Sequence, residues 1–235
     1  MAKMPGAEWQ GEHSPGVEMD RYDVVCVHTI VGFAPAHAAH FSTFADGSIV
    51  QSRDTRFRSA ANLNGNHRVI AIENEDAAQD VPLTDAQVDA CAQILAWAHR
   101  THGVPLKLCP DSRPGSRGLA YHRQGIDGNF EGFQFPGRVA GGEVWSESFG
   151  KVCPRDKRIA QLPTILARAK TIIEGDDMSK YEEQLDRIEA KVTAVDNVVR
   201  AKATRTNEYL RKLISQGRAT KSELEELSAL LGDNA

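Results

Sequence analysis

The segment YDVVCVHT, residues 22–29, places four consecutive apolar residues between polar ends. Such a run, rich in valine, is typical of a buried strand. Working outward, Phe41–Phe44 and Ser48–Gln51 flank Asp46-Gly47, a strong signal for a hairpin turn. A third apolar run, VIAIE at Val69–Glu73, predicts a further strand. The sequence therefore predicts a central β-sheet.

Helical patterns follow these strands. Thr84 can cap a helix with Gln87 in the capping-box position, and apolar residues between Val88 and Ala98 recur on one face. Pro154–Ile173 contains another helix, with Pro163 suited to its first turn. Because strands are interleaved with helices, we expect an α/β (α+β) domain in which helices flank a mixed central β-sheet.

Two long stretches are predicted to be loops. Gly103–Gly118 carries three prolines and small polar residues, and Gly125–Gly150 is rich in glycine and aromatic residues. Long loops inside compact domains are usually functional or mobile. Both stretches are therefore expected to be functional or mobile.

The sequence changes character near Gly175. We predict a helix break and a domain boundary at Glu174–Asp177, which divide the chain into residues 1–174 and a helical tail, residues 175–235. Apolar residues in the tail alternate in steps of three and four, the heptad pattern of a coiled coil. They are Met178, Tyr181, Leu185, Ile188, Val192, Val195 and Val199.

The heptad pattern weakens towards the C-terminus, where Lys202 and Thr206 occupy the next core positions. Gly217 is expected to end this helix, and Thr220 with Glu223 to begin a short last one. The tail is either a solvated helical hairpin docked on the first domain or a segment for self-association. We favour a homo-oligomer, because the seam runs through several consecutive matches.

Composition excludes several classes of partner. The formal net charge is −4 and the pI about 6.1, so no basic surface points to nucleic acid or to a membrane. Four scattered cysteines do not form a disulfide framework. Neither a signal peptide nor a membrane-spanning segment is apparent. We therefore expect synthesis in the cytoplasm, and release by another factor if the substrate lies outside the membrane.

Three residues could form a metal site. His28 ends the first strand, His122 lies in GLAYHRQG, and Cys153 lies in GKVCP. Two imidazoles and a thiolate suit Zn²⁺ and leave a fourth position for water, which the metal can activate for amide hydrolysis. The spacing alone leaves ordinary roles open, namely a core histidine for His28 and a small buried side chain for Cys153.

An ordered series of motifs in Val25–Arg158 resembles the amidase-2 family, the N-acetylmuramoyl-L-alanine amidases that include the peptidoglycan recognition proteins. The series is VCVHT, AHF, ADGSIVQSRD, VIAIENE, LTDAQ, HRQG and GKVCP. Within that family the chain is most similar to the catalytic domains of actinobacteriophage lysins. The resemblance implies an endolysin in which His28, His122 and Cys153 hold Zn²⁺. Its substrate would be bacterial peptidoglycan, cleaved between N-acetylmuramic acid and L-alanine.

The same resemblance suggests roles for four other residues. Lys151 would stabilise the oxyanion, and Glu73 would shuttle protons, unless Glu73 is simply paired with an arginine or lysine. His40 and Trp145 are candidates for substrate binding. The chain departs from several relatives at Ala39, where they carry a tyrosine near the metal.

Two other functions stay open at this level. Some family members bind peptidoglycan without cleaving it, but those usually lack the cysteine ligand, and Cys153 is present. The tail also allows a virion-associated structural protein that carries an amidase domain. Localisation is expected in the host cytoplasm during synthesis and at the cell wall after release.

Overall fold

The computed structural model describes residues 2–11, 16–30, 37–76, 80–217 and 220–230. The chain forms two compact units, Met1–Gly175 and Asp176–Ala235. Among the described helices, none combines the length and the apolar character needed to cross a membrane.

The first unit is built on a mixed sheet, as the sequence predicted. Its described strands pair in the order β1-β4-β3-β5-β2-β6. The β3–β4 pair is antiparallel, and the other neighbours are parallel. The strands are β1 Glu8–Trp9, β2 Val24–Thr29, β3 Phe41–Thr43, β4 Ile49–Gln51, β5 Val69–Asn74 and β6 Gly118–Tyr121.

Strand β2 lies between two parallel neighbours, β5 and β6, and both of its faces are covered. Val25 and Val27 belong to the main hydrophobic core, whereas Val24 and Cys26 belong to a second apolar cluster. Successive side chains of a strand point to opposite faces, so an uninterrupted apolar run is what a doubly covered parallel strand requires. This explains why YDVVCVHT shows no polar alternation.

Helix α1, Asp85–His102, covers one face of the sheet. It begins with the predicted capping box. The Thr84 hydroxyl accepts from the backbone N–H of Gln87 at 3.1 Å, and the side-chain oxygen of Gln87 accepts from the backbone N–H of Thr84 at 3.1 Å. It ends at Gly103, whose φ of +70° suits glycine. The predicted helix after Pro154 is present as α2, Asp156–Ile159, and the start of α3, Leu162–Ser215.

The predicted helix break at Glu174–Asp177 is wrong, because α3 is continuous from Leu162 to Ser215. Gly175 costs roughly 1 kcal/mol relative to alanine inside a helix, a cost that the 54-residue helix α3 tolerates. The later signals are confirmed. Gly217 adopts a φ of +65° after the helix, and the Thr220 amide donates to Glu223 at 2.8 Å before α4, Lys221–Leu230.

Two strands were not predicted from the sequence. Strand β6 begins at Gly118, the last residue of a predicted loop, and β1 contains only Glu8 and Trp9. Both are too short to show a periodic pattern of their own. Their strand conformation is fixed by neighbours distant in sequence, since β6 pairs with β2 from Val24 to Val27.

His40 is a buried structural residue of this unit. Its Nε2 donates to the Phe57 carbonyl at 2.9 Å, and its Nδ1 accepts from the Ala71 amide at 3.1 Å. Both ring nitrogens are therefore used by the backbone, and only the neutral ring satisfies both. Burial lowers the pKa of His40 to about 4, although the Phe57 carbonyl partly opposes this shift.

We predict that His40 makes stability depend on pH. Its folded pKa lies below the unfolded value near 6.5, so its stabilisation is complete above pH 6.5 and is lost as pH falls towards 4. The loss is roughly 3 kcal/mol. Urea unfolding at pH 7 and pH 4.5 should show a smaller decrease in the His40→Gln variant than in the wild type. Equal decreases would contradict this assignment.

Candidate metal centre

The three predicted ligands meet at one edge of the sheet. His28 lies in β2 directly opposite Glu73 of β5, and His122 follows the last residue of β6. Because these strands are parallel, their carboxyl ends share an edge, where α/β folds place their ligand sites. Cys153 reaches this edge from the segment before α2, and its Sγ accepts from the Thr29 amide at 3.5 Å.

The alternation of side chains also puts these groups on one face. In β2, Val24 and Cys26 point to the face opposite α1, and so does His28, two residues after Cys26. In β5, Val69 points to the same face, and so does Glu73, four residues later. The ligands are therefore the polar continuation of the second apolar cluster. This arrangement buries them without placing them in the main core.

The geometry suits a metal ion. All three ligand atoms of His28, His122 and Cys153 lie within 4.8 Å of one another, and all three residues are buried. The two imidazole rings are tilted, with centroids 4.2 Å apart. A tetrahedral zinc holds its ligand atoms roughly 3.5 Å apart, so small side-chain rotations complete the site.

Hydrogen bonds fix the tautomer of each histidine. The Nε2 of His28 lies 3.1 Å from Asn62 Oδ1, and Asn62 Nδ2 donates to Cys26 Sγ at 3.4 Å, so the amide presents its oxygen to the ring. The Nε2 of His122 donates to the Trp145 carbonyl at 2.9 Å. Both rings therefore keep the proton on Nε2 and offer the Nδ1 lone pair, as metal ligands do.

The second ring nitrogen of His122 is buried at the centre of this cluster. The Nδ1 of His122 has no hydrogen-bond partner among the described residues. Buried polar atoms without partners are rare in native structures and call for an explanation. A metal ion held with His28 and Cys153 would supply the missing partner.

Electrostatics favour the neutral ligand forms of the histidines. Burial lowers the pKa of His28 well below its usual value, and that of His122 to about 4. Burial, with the Glu73 carboxylate, raises the pKa of Cys153 to about 12. A bound cation reverses this last effect, because a coordinating thiol is deprotonated. The donor set thus fits zinc.

Glu73 lies beside the ligands with little solvent contact. Its side chain is 14% exposed, and its Oε1 is 3.7 Å from His28 Nδ1. Its Oε2 has no hydrogen-bond partner among the described residues. Burial raises the pKa of Glu73 to about 8, and Lys151 opposes the shift. Within the described residues no ion pair links Glu73 to an arginine or lysine. The paired alternative is therefore not observed, and the proton-shuttle role stays a prediction.

Lys151 acts on this site through its charge. It lowers the pKa of His28, of His122 and of Glu73. Its backbone forms a turn, with its amide donating to the Ser148 carbonyl at 3.2 Å and its carbonyl accepting from the Cys153 amide at 3.2 Å. Lys151 and Cys153 therefore belong to the same turn.

The predicted substrate contacts of His40 and Trp145 do not fit the structure. His40 is fully buried and bonded to the backbone on both sides, and Trp145 is 1% exposed. The Trp145 ring packs so closely on Gly65 and Gly125 that a Cβ at Gly125 would lie 2.2 Å from Trp145 Cγ. Trp145 supports the site from within through the bond between its carbonyl and His122, whereas His40 bonds only to the backbone of Phe57 and Ala71.

Sequence reasoning missed Asn62, which orients His28. It lies in an asparagine-rich segment before β5, and nothing in its spacing separates it from Asn64 and Asn66. Only the folded chain brings it to the end of β2.

Comparison with known proteins places the chain in a family. The family model for N-acetylmuramoyl-L-alanine amidases, Amidase_2, matches residues 10–128, just over half of the 235 residues. The chain belongs to this amidase family. His28, Glu73 and His122 fall within the matched range, whereas Lys151 and Cys153 follow it. No curated protein matches the sequence significantly.

Several solved structures are similar to this chain. The endolysin amidase LysCS from Clostridium intestinale URNW is 12% identical, with a TM-score of 0.49 over 71% of this chain and 99% of that one. The Staphylococcus aureus hydrolase AmiA in complex with its ligand is 16% identical, with a TM-score of 0.49 over 74% and 87%. Peptidoglycan recognition protein-LE in complex with tracheal cytotoxin is 12% identical, with a TM-score of 0.47 over 68% and 94%.

We predict that Asn62→Ala weakens zinc binding about 10- to 100-fold, because His28 loses the partner that fixes its tautomer. Competition with a chromophoric chelator measures the change, and circular dichroism checks that the variant is folded. Asn64→Ala, at an exposed position of the same segment, is the matched control and should bind zinc like the wild type. Equal affinity of the Asn62 variant and the wild type would refute the role of Asn62.

Proposed function

We propose that this protein is a zinc-dependent amidase of the endolysin type. It cleaves the amide bond between N-acetylmuramic acid and the L-alanine of the stem peptide. The observation that carries the proposal is the buried Nδ1 of His122, which has no hydrogen-bond partner among the described residues, in a cluster where ligand atoms of His28, His122 and Cys153 lie within 4.8 Å of one another. Membership of the amidase family supplies the substrate class.

The residues around the site divide the work of amide hydrolysis. His28, His122 and Cys153 would hold the zinc ion, which when bound activates a water molecule and polarises the carbonyl. Glu73 takes a proton at its free Oε2 during attack and returns it to the alanine nitrogen, which leaves as an amine. A carboxyl with a pKa of about 8 exchanges protons readily near neutral pH. Lys151 stabilises the negative charge that develops on the carbonyl oxygen.

The proposal includes a biological setting. The protein is made in the cytoplasm of an infected bacterium and reaches the peptidoglycan after another factor releases it. Its action there contributes to host cell lysis by a bacteriophage. The family assignment and the presence of the complete ligand set support this setting over a module that only recognises the wall.

The direct test is cleavage of purified peptidoglycan by the zinc-loaded protein. New L-alanine amino termini should appear, and they should vanish with chelator and in the Cys153→Ala variant. Cys109→Ala is the matched control, because it removes another buried thiol, one bonded to the Asp111 carbonyl. It should keep its activity and its zinc.

A second variant separates catalysis from binding. Glu73→Gln should retain zinc and sediment with peptidoglycan, yet release amino termini about 10²- to 10⁴-fold more slowly. If the zinc-loaded wild type also binds the wall without releasing L-alanine termini, the protein is a recognition module and the proposal fails. A fully active Glu73→Gln variant would instead remove Glu73 from the mechanism.

A further inference from the structure

The part of α3 in the second compact unit carries an apolar seam, formed by Tyr181, Leu185, Ile188, Val192, Val195 and Val199. Each of these side chains is between 56% and 63% exposed. Contiguous exposed apolar residues mark an interaction surface. Met178 would begin the seam, but its side chain lies outside the described residues.

The spacing of the seam identifies the kind of partner. Steps of four and three average 3.5 residues, the repeat that keeps one face of a helix against another helix in a left-handed supercoil. In heptad notation, Leu185, Val192 and Val199 occupy position a, and Ile188 and Val195 occupy position d. The partner is therefore another helix with the same repeat, and a second copy of this chain provides one.

The charges beside the seam favour parallel copies. In a parallel pair, each g residue faces the e residue of the next heptad on the neighbouring helix. Lys191 then faces Asp196, and Gln184 faces Glu189, so one pair is ionic and the other can form a hydrogen bond. Only the pair at the start of the seam, Asp177 with Glu182, brings like charges together.

An antiparallel arrangement of the same seam would be repulsive. In this arrangement e positions face e positions of the neighbouring chain, and g positions face g positions. Glu182 would then face Asp196, and Glu189 and Lys191 would each face the same residue of the neighbouring chain. Like charges at these positions disfavour that pairing. The seam is thus complementary to itself in the parallel orientation.

The shapes of the core residues set the number of chains. Leucine at a with isoleucine at d shifts coiled coils from two strands to three or four. Leu185 and Ile188 form such a layer, and the valines that follow are β-branched at both positions. We propose that α3 joins three or four copies of this chain in a parallel coiled coil.

Sedimentation equilibrium of the full chain tests the proposal. The wild type should have three or four times the 25.7 kDa mass of one chain, and the double variant Ile188→Asp, Val195→Asp should be monomeric. The double variant Ala190→Asp, Asn197→Asp adds the same charges at the same spacing on the outer face of the helix and should keep the wild-type mass. A monomeric or dimeric wild type would overturn the proposal.

A charge exchange tests the orientation without disturbing the seam. Lys191→Glu should raise the dissociation constant of the assembly several-fold, and adding Asp196→Lys should restore it, because the parallel pair is re-formed with its charges reversed. In an antiparallel assembly Lys191→Glu merely replaces one like-charged pair by another. No change in that single variant, or no rescue in the double variant, would therefore exclude parallel chains.

Discussion

The arrangement of the first unit depends on burying three polar side chains, His28, His122 and Cys153, at one edge of its sheet. Buried imidazole and thiol groups are stable only when each polar atom is satisfied. The Asn62 side chain is the hydrogen-bond partner of His28 Nε2, and the Trp145 carbonyl is the partner of His122 Nε2. The Nδ1 atoms of both rings are left for the side that faces Cys153. The sheet register, the asparagine-rich segment and the tight packing of Trp145 on glycine all serve this one requirement.

The same burial acts on Glu73, the proposed proton carrier. Glu73 sits in register with His28, with one carboxylate oxygen unpartnered among the described residues, and its pKa is raised to about 8. Lys151 supplies the opposing positive charge from the turn that carries Cys153. Desolvation thus keeps the imidazoles neutral, while one lysine limits how far the carboxyl shifts.

Much of this was predictable where a local pattern carries the information. The apolar run of β2, the Asp46-Gly47 hairpin and the Thr84 capping box each determine their element from a few adjacent residues. The break at Glu174–Asp177 failed because one glycine is a weak helix breaker. The burial of His40 and the role of Asn62 were not predictable, since both follow from contacts between distant segments. The division into domains 1–174 and 175–235 and the substrate chemistry stay predictions.

We propose that His28, His122 and Cys153 hold one zinc ion. Zinc-edge X-ray absorption of the purified, metal-loaded chain tests it most directly, because it resolves sulfur from nitrogen ligands by distance. We expect one zinc per chain with one sulfur at about 2.3 Å and two imidazole nitrogens at about 2.0 Å, and loss of the sulfur shell in Cys153→Ala. A spectrum without sulfur in the wild type, or one that Cys153→Ala leaves unchanged, would contradict it.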